Sequence, residues 1–246
     1  MQWRPLLNHC RRYARRTWLD LDRAIMPVRC AFCGTRSSAA ECALCDGCRQ
    51  DLPWLEHACE RCAEPLPGPM VRGVVCGACQ NRAAPVAKTI APLLYEFPVD
   101  AGLKALKFRR QLHYGPMFAG VLLQAVRHVR DDIDALLPVP LHWRRLATRG
   151  FNQAAELGAP LARSMGLPLL GNVIRHRPTG FQTGLSAQAR DRNLEQAFRV
   201  KRPVSAHHVL LIDDVVTTGA TTRHLATELL RGGATKVSVA AVARAT

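Results

Sequence analysis

The run Val209-Leu210-Leu211-Ile212-Asp213-Asp214-Val215-Val216-Thr217-Thr218-Gly219-Ala220-Thr221-Thr222 sets two carboxylates directly before a short Thr/Gly turn. Adjacent acids can accept hydrogen bonds from the hydroxyls of a polyol. A turn that opens a helix presents unpaired backbone N–H groups and the positive end of the helix dipole to an anion. Gly219 lets the backbone come close to a ligand, and the threonine hydroxyls add donors. Two carboxylates beside an anion nest suit a sugar phosphate.

A second chemistry is carried by cysteine. All ten cysteines fall between Cys10 and Cys79, and the last two thirds of the chain contain none. Cys30-x2-Cys33, Cys45-x2-Cys48, Cys59-x2-Cys62 and Cys76-x2-Cys79 supply thiols in pairs, with Gly34 and Gly77 beside two of them. Pairs separated by a hairpin-length segment match four-thiolate structural zinc ribbons. The expected sets are Cys30, Cys33, Cys45 and Cys48, then Cys59, Cys62, Cys76 and Cys79. Cys42-x2-Cys45 overlaps Cys45-x2-Cys48, so Cys42 is a spare, and pairing interleaved across the two sets stays open. Closed thiolate sets leave no coordination position for a substrate, so the zinc is structural.

The elements that position these groups follow from periodicity. Four apolar residues before Asp213 read as a buried strand of a parallel sheet, with the acids at its carboxyl end. Thr222–Arg231 reads as the next helix, closed by Gly232-Gly233, and Lys236–Val242 as the last strand. Upstream, Thr89–Phe97 reads as a strand, and Leu103 and Leu106 mark the inner side of a helix that also carries Lys104 and Lys107. Leu112–Val129 reads as a helix, Asp134–Val139 as a strand, Gln153–Met165 as a helix and Leu169–His176 as a strand. Between them, residues 142–153 hold Arg144, Arg145, Arg149, Gly150, Asn152 and Gln153, suited to gripping phosphate. Residues 177–198 form a long polar stretch whose candidate contacts are Thr179, Gln182, Thr183, Ser186, Arg190, Arg192 and Asn193. Alternating strands and helices predict an α/β fold with a doubly wound parallel sheet.

Composition narrows the partners. With 34 basic against 19 acidic residues the formal charge is +15. Such a balance favours polyanions, or is the solubilising surface of an arginine-rich chain. No apolar stretch is long enough for a membrane span, and arginines 11, 12, 15 and 16 interrupt any signal-peptide core, which makes the cytoplasm the expected location. Residues 3–26 show one apolar and one basic helical face, able to lie on DNA, on an anionic membrane, or on the neighbouring module. The expected domains are a basic amphipathic helix over 1–29, a double zinc ribbon over 30–84, and an α/β domain over 85–246.

LLIDDVVTTGATT resembles the phosphoribosyl-pyrophosphate (PRPP) loop of type I phosphoribosyltransferases. That resemblance implies that Asp213 and Asp214 hold the ribose hydroxyls. It also implies that Val215, Val216, Thr217, Thr218, Gly219, Ala220 and Thr221 wrap the 5′-phosphate, with Mg²⁺ bridging pyrophosphate and ribose. Four motifs in order, the thiolate ribbons, LLPVPLHWRRLATRGFNQA, FQTGLSAQARDRNLEQAF and the PRPP loop, resemble the ComF family of competence-associated, phosphoribosyltransferase-like proteins. The family resemblance implies that residues 142–153, with Arg149 and Gly150, take the place of the pyrophosphate loop. It places 177–198, with Arg190, as the catalytic loop, where Arg149 and Arg190 stabilise the leaving group. It further implies handling of single-stranded DNA during natural transformation alongside helicase and DNA-processing partners. Transferase activity on an unknown nucleophile, PRPP binding without turnover, and DNA binding through the same loop remain alternatives.

Overall fold

The apolar run that ends in two acids forms β6 (His208–Val216), a central strand of a parallel sheet. A computed structural model describes residues 28–37, 43–68, 73–81, 84–176 and 197–246. These fall into two compact units, Met1–Asp51 and Leu52–Thr246. The first holds one cysteine quartet and helix α1 (Asp46–Gln50).

The second unit begins with the other quartet and α2 (Gly77–Gln80), then β1 (Lys88–Ile90) and β2 (Leu93–Leu94). Helices α3 (Val99–Arg109) and α4 (Tyr114–Val126), a 3₁₀ turn (Arg127–Asp132) and β3 (Ala135–Pro138) follow. Next come α5 (Trp143–Arg149), α6 (Gln153–Met165), β4 (Val173–Arg175) and β5 (Phe198–Val200). After β6, α7 (Ala220–Arg231) leads into β7 (Lys236–Arg244). The sheet order is β1-β7-β6-β3, all parallel, with β2 also on β7, while β4 and β5 form a separate antiparallel pair.

Alternation along the strands divides the core into two layers. Val209 and Leu211 of β6 join Val237, Val239 and Ala241 of β7 in a cluster closed by Leu225, Ala226 and Leu229 of α7. Leu210 and Ile212 face the other way, where α6 presses close to the sheet. A Cβ on Gly158 would sit 2.9 Å from the Pro138 ring and 3.8 Å from Ile212. Sheets covered on both faces need apolar residues at every strand position, and this is why β6 is a continuous apolar run.

Several elements differ from the sequence reading. Thr89–Phe97 is two short strands on the same edge of β7, because Pro92 has no N–H for the ladder. The helix expected over 112–129 starts at Tyr114 and tightens into 3₁₀ geometry after Val126. Of Leu169–His176 only Val173–Arg175 is strand; Leu169 makes a single parallel bridge to Leu136. Within 142–153, which the resemblance sets in the place of the pyrophosphate loop, Trp143–Arg149 form helix α5, capped by His142 Nδ1 accepting from the Arg144 N–H (3.2 Å). Asn152 caps α6 by accepting from the Ala154 N–H (3.0 Å). The helix expected over 3–26, Cys42, and Thr179 through Asn193, including Arg190, lie outside the described residues.

Candidate functional site

At the end of β6 the two acids are not equivalent. Asp214 is buried, and its carboxylate meets Lys107 Nζ of α3 at 2.6 Å. Asp213 is partly exposed and accepts a hydrogen bond from the Asp214 N–H at 2.9 Å. Enclosure of the Asp213 carboxyl, then the charge of Asp214 and a hydrogen bond to it, push Asp213 well above the usual carboxylate range.

Val215 and Val216 complete the strand, and Thr217 and Thr218 are exposed on the turn. Gly219 adopts φ +69°, the left-handed region, and Ala220 begins α7. The turn is held by Thr222 Oγ1 donating to the Gly219 carbonyl (3.0 Å) and by Arg223 donating to the Thr218 carbonyl (2.6 Å). Thr221, partly buried in the first turn of α7, stands among the amides that the helix itself leaves unpaired.

Arginines converge on the acids from α5 and β4. Arg149 donates to Gln153 Oε1 (2.5 Å), its guanidinium lies 5.6 Å from the centre of the Phe108 ring, and it feels the charges of Asp214 and Arg145. Arg175 is buried beside Phe198 (5.5 Å), within reach of the charges of Arg145 and Asp213. Burial lowers the pKa of all three arginines, and takes Arg175 to about 10, so each stays cationic at neutral pH. Gly150 ends α5 at φ +86°, where a Cβ would stand 3.3 Å from the Arg110 guanidinium. The structure thus sets Asp213 and Asp214 at the end of β6 within reach of the charge of Arg149, which Gly150 follows at the end of α5. Sequence reasoning did not single out Arg175 for the site. Its one signal was an arginine directly after the apolar pair Val173-Ile174 in a strand candidate. Lys107 was noticed only for its helical spacing.

The turn is backed by the second cysteine module. Arg244, at the end of β7 and only 8% exposed, donates to the carbonyls of Val216 (3.2 Å), Thr217 and Ala245, and pairs with Glu64. Thr89 of β1 donates its hydroxyl to the Arg61 carbonyl (2.8 Å) and its N–H to that of Glu60 (3.0 Å), and Lys88 pairs with Glu60 (3.1 Å). A cavity of about 600 Å³ lies here, lined by Cys62, Cys76, Thr217, Gly219, Arg223 and Arg244 among others.

Two quartets, Cys30, Cys33, Cys45, Cys48 and Cys59, Cys62, Cys76, Cys79, each gather four sulfurs within 4.8 Å of one another. Cys33 and Cys45 stand 3.5 Å apart and Cys62 and Cys76 3.7 Å. Tetrahedral zinc with bonds of about 2.3 Å requires sulfurs roughly 3.8 Å apart, so the donor sets fit that ion. Backbone N–H groups of Cys48 and Cys76 donate to the sulfurs of Cys45 (3.5 Å) and Cys59 (3.2 Å), as thiolates need. A hydrogen bond from the Thr35 hydroxyl draws Cys33 down to about 6, while burial raises Cys62 and Cys48 and takes Cys79 to about 11. Metal binding must therefore displace protons.

Comparison with known proteins identifies the zinc-ribbon module and the family. Residues 21–86 match the double zinc ribbon domain. The DNA utilization protein YhgH of Salmonella typhimurium is 34% identical over 220 residues, spanning 87% of this chain and 96% of that protein. The YhgH protein of Escherichia coli K12 is 33% identical over the same shares. Competence protein F of Haemophilus influenzae is 31% identical over 226 residues, 88% of this chain and 97% of its own. Among solved structures, glutamine PRPP amidotransferase from B. subtilis aligns with 50% of this chain and 25% of its own, at 21% identity and a TM-score of 0.33. With a double zinc ribbon, a parallel α/β sheet and near full-length similarity to competence protein F and YhgH, the chain belongs to the ComF family.

Proposed function

We propose that this protein binds PRPP or a related ribose phosphate at the end of β6 and supports the uptake or processing of DNA in natural transformation. The observation that carries the reading is the single strand end where an acid pair, a left-handed glycine turn opening α7, and three arginines meet. Asp213 and Asp214 would accept from ribose hydroxyls. The turn from Val215 to Thr221 would hold the 5′-phosphate, and Arg149 and Arg175 would face the pyrophosphate. Arg190 is proposed to join them from its own segment. Mg²⁺ would enter with PRPP and offset its charge. Among the described residues no further group of three metal-binding side chains adjoins the acids, so the ion would rely on ligand oxygens. Names of relatives that speak of DNA utilization and competence support the DNA role. Helicase and DNA-processing partners and a cytoplasmic setting belong to the same proposal. Among the described residues no helix is long and apolar enough to cross a membrane.

A second reading is a working phosphoribosyltransferase. The Arg149–Arg175 arrangement favours it, because cations held beside the acids would stabilise negative charge as the bond from C1 to the pyrophosphate oxygen breaks. A nitrogen nucleophile would then attack C1. A pyrophosphate-release assay with PRPP and Mg²⁺, run with and without ammonia as the nitrogen nucleophile, separates the two through release that depends on the nucleophile. Release that is lost in Arg149→Met establishes a transferase, whereas binding without release supports a ribose-phosphate-binding protein. Absence of binding by PRPP and by ribose 5-phosphate alike would remove both.

A further inference from the structure

We propose that single-stranded DNA docks on the outer face formed by α5 and the end of α3, with bases stacked on Trp143 and Phe108. This rests on the DNA role proposed above and gives it a place. Trp143 is 64% exposed and Phe108 61% exposed. Leu112 and Leu146 are exposed as well, so four of the six exposed large hydrophobic side chains among the described residues fall in residues 104–112 and 143–150, and a gathering of that kind marks an interaction surface. Each ring already carries a guanidinium: Arg144 at 5.4 Å from the Trp143 centre and Arg149 at 5.6 Å from Phe108.

The charge of the surface selects the occupant. The charge of residues 104–112 and 143–150 is carried by Arg109, Arg110, Arg144, Arg145 and Arg149, while Lys104 and Lys107 pair with Asp100 and Asp214 at 2.6 Å each. Arg109, Arg110 and Arg144 are exposed, and the Arg110 side chain reaches Gly150 at the end of α5, so the two segments meet there. Flat π faces interleaved with cations match a nucleic-acid strand whose bases are free to stack while its phosphates meet arginine. A duplex keeps its bases stacked on one another and has no use for the rings. Six residues of helix separate Trp143 from Arg149, roughly 9 Å, a span of two to three stacked nucleotides. Arg149, whose guanidinium lies against Phe108, also feels the charge of Asp214, so the strand would run along the rim of the ribose-phosphate site.

Fluorescence anisotropy with a labelled oligothymidylate of about 20 nucleotides tests this on the full-length protein. Trp143→Ala should weaken binding by roughly 5- to 150-fold, the range for loss of one stacked base, and Trp143→Phe should recover most of it. Wild-type tryptophan emission should be quenched by the oligonucleotide, and the quench should be largely absent in Trp143→Phe although that variant still binds. Wild-type binding that Trp143→Ala leaves unchanged would overturn the placement, put the DNA elsewhere, and leave the aromatic face to a protein partner. An equal loss of affinity for duplex would also overturn it, since charge alone would then explain the surface. No binding by wild type would overturn the DNA role itself, whereas PRPP titration of the same samples reports on the ribose-phosphate site separately.

Discussion

Arg244 offers a sharp test of how the phosphate turn is held. Arg244→Met keeps the aliphatic stem and removes the donors that meet the carbonyls of Val216, Thr217 and Ala245 and the carboxylate of Glu64. Hydrogen bonds from a charged group each contribute about 1.5–3 kcal/mol, but deleting a buried cation also removes its own desolvation cost. Glu64 is 42% exposed and rehydrates, so no orphaned charge is left inside. The expected net loss is about 2–3 kcal/mol of stability, read from the midpoint of urea unfolding. The turn should also slacken, and PRPP affinity should fall by roughly 5- to 30-fold by calorimetry, equivalent to about 1–2 kcal/mol. Glu64→Gln leaves the carbonyl bonds intact and should cost about 1 kcal/mol or less. An Arg244→Met protein that loses stability yet binds PRPP as tightly as wild type would refute the idea that this side chain sets the turn.

Other outcomes follow from the same structure. Because Asp213 binds its proton more tightly folded than unfolded, its contribution to stability is full at acid pH and fades as pH rises through the folded value; Asp213→Asn should therefore stabilise the ligand-free protein at neutral pH, with the gain vanishing below about pH 4 in pH-dependent melting curves. Lys107→Met leaves the buried Asp214 carboxylate without its partner and should cost about 3 kcal/mol in denaturant unfolding, with Lys107→Arg recovering part of it. Elemental analysis should find about two zinc ions per chain, and their removal by a competing chelator should return protons to the freed thiolates and loosen both cysteine modules.

What the sequence made legible was local. The apolar run, the acid pair and the Thr/Gly turn are contiguous, and each implies its own backbone state, so β6, the turn and α7 were readable in order. Cysteine pairs announced both quartets for the same reason, since two ligands arrive together on each turn. Groups that reach the site from far along the chain were harder to see. Arg244 and Glu64 are 180 residues apart, and nothing in either neighbourhood points to the other. Lys107 looked like one cation on a helix until α3 set it against Asp214. Arg175 is placed by pairing of β4 with β5, and no short-range pattern specifies that register. The break in Thr89–Phe97 was in principle legible, because Pro92 cannot donate to a ladder.

The central claim, a ribose-phosphate site built on β6, is tested most directly by calorimetric titration of wild type and the Asp213→Asn, Asp214→Asn double variant with PRPP and Mg²⁺. The account predicts saturable binding by wild type and its loss in a double variant that remains folded by circular dichroism. Equal affinity in the two proteins would contradict it.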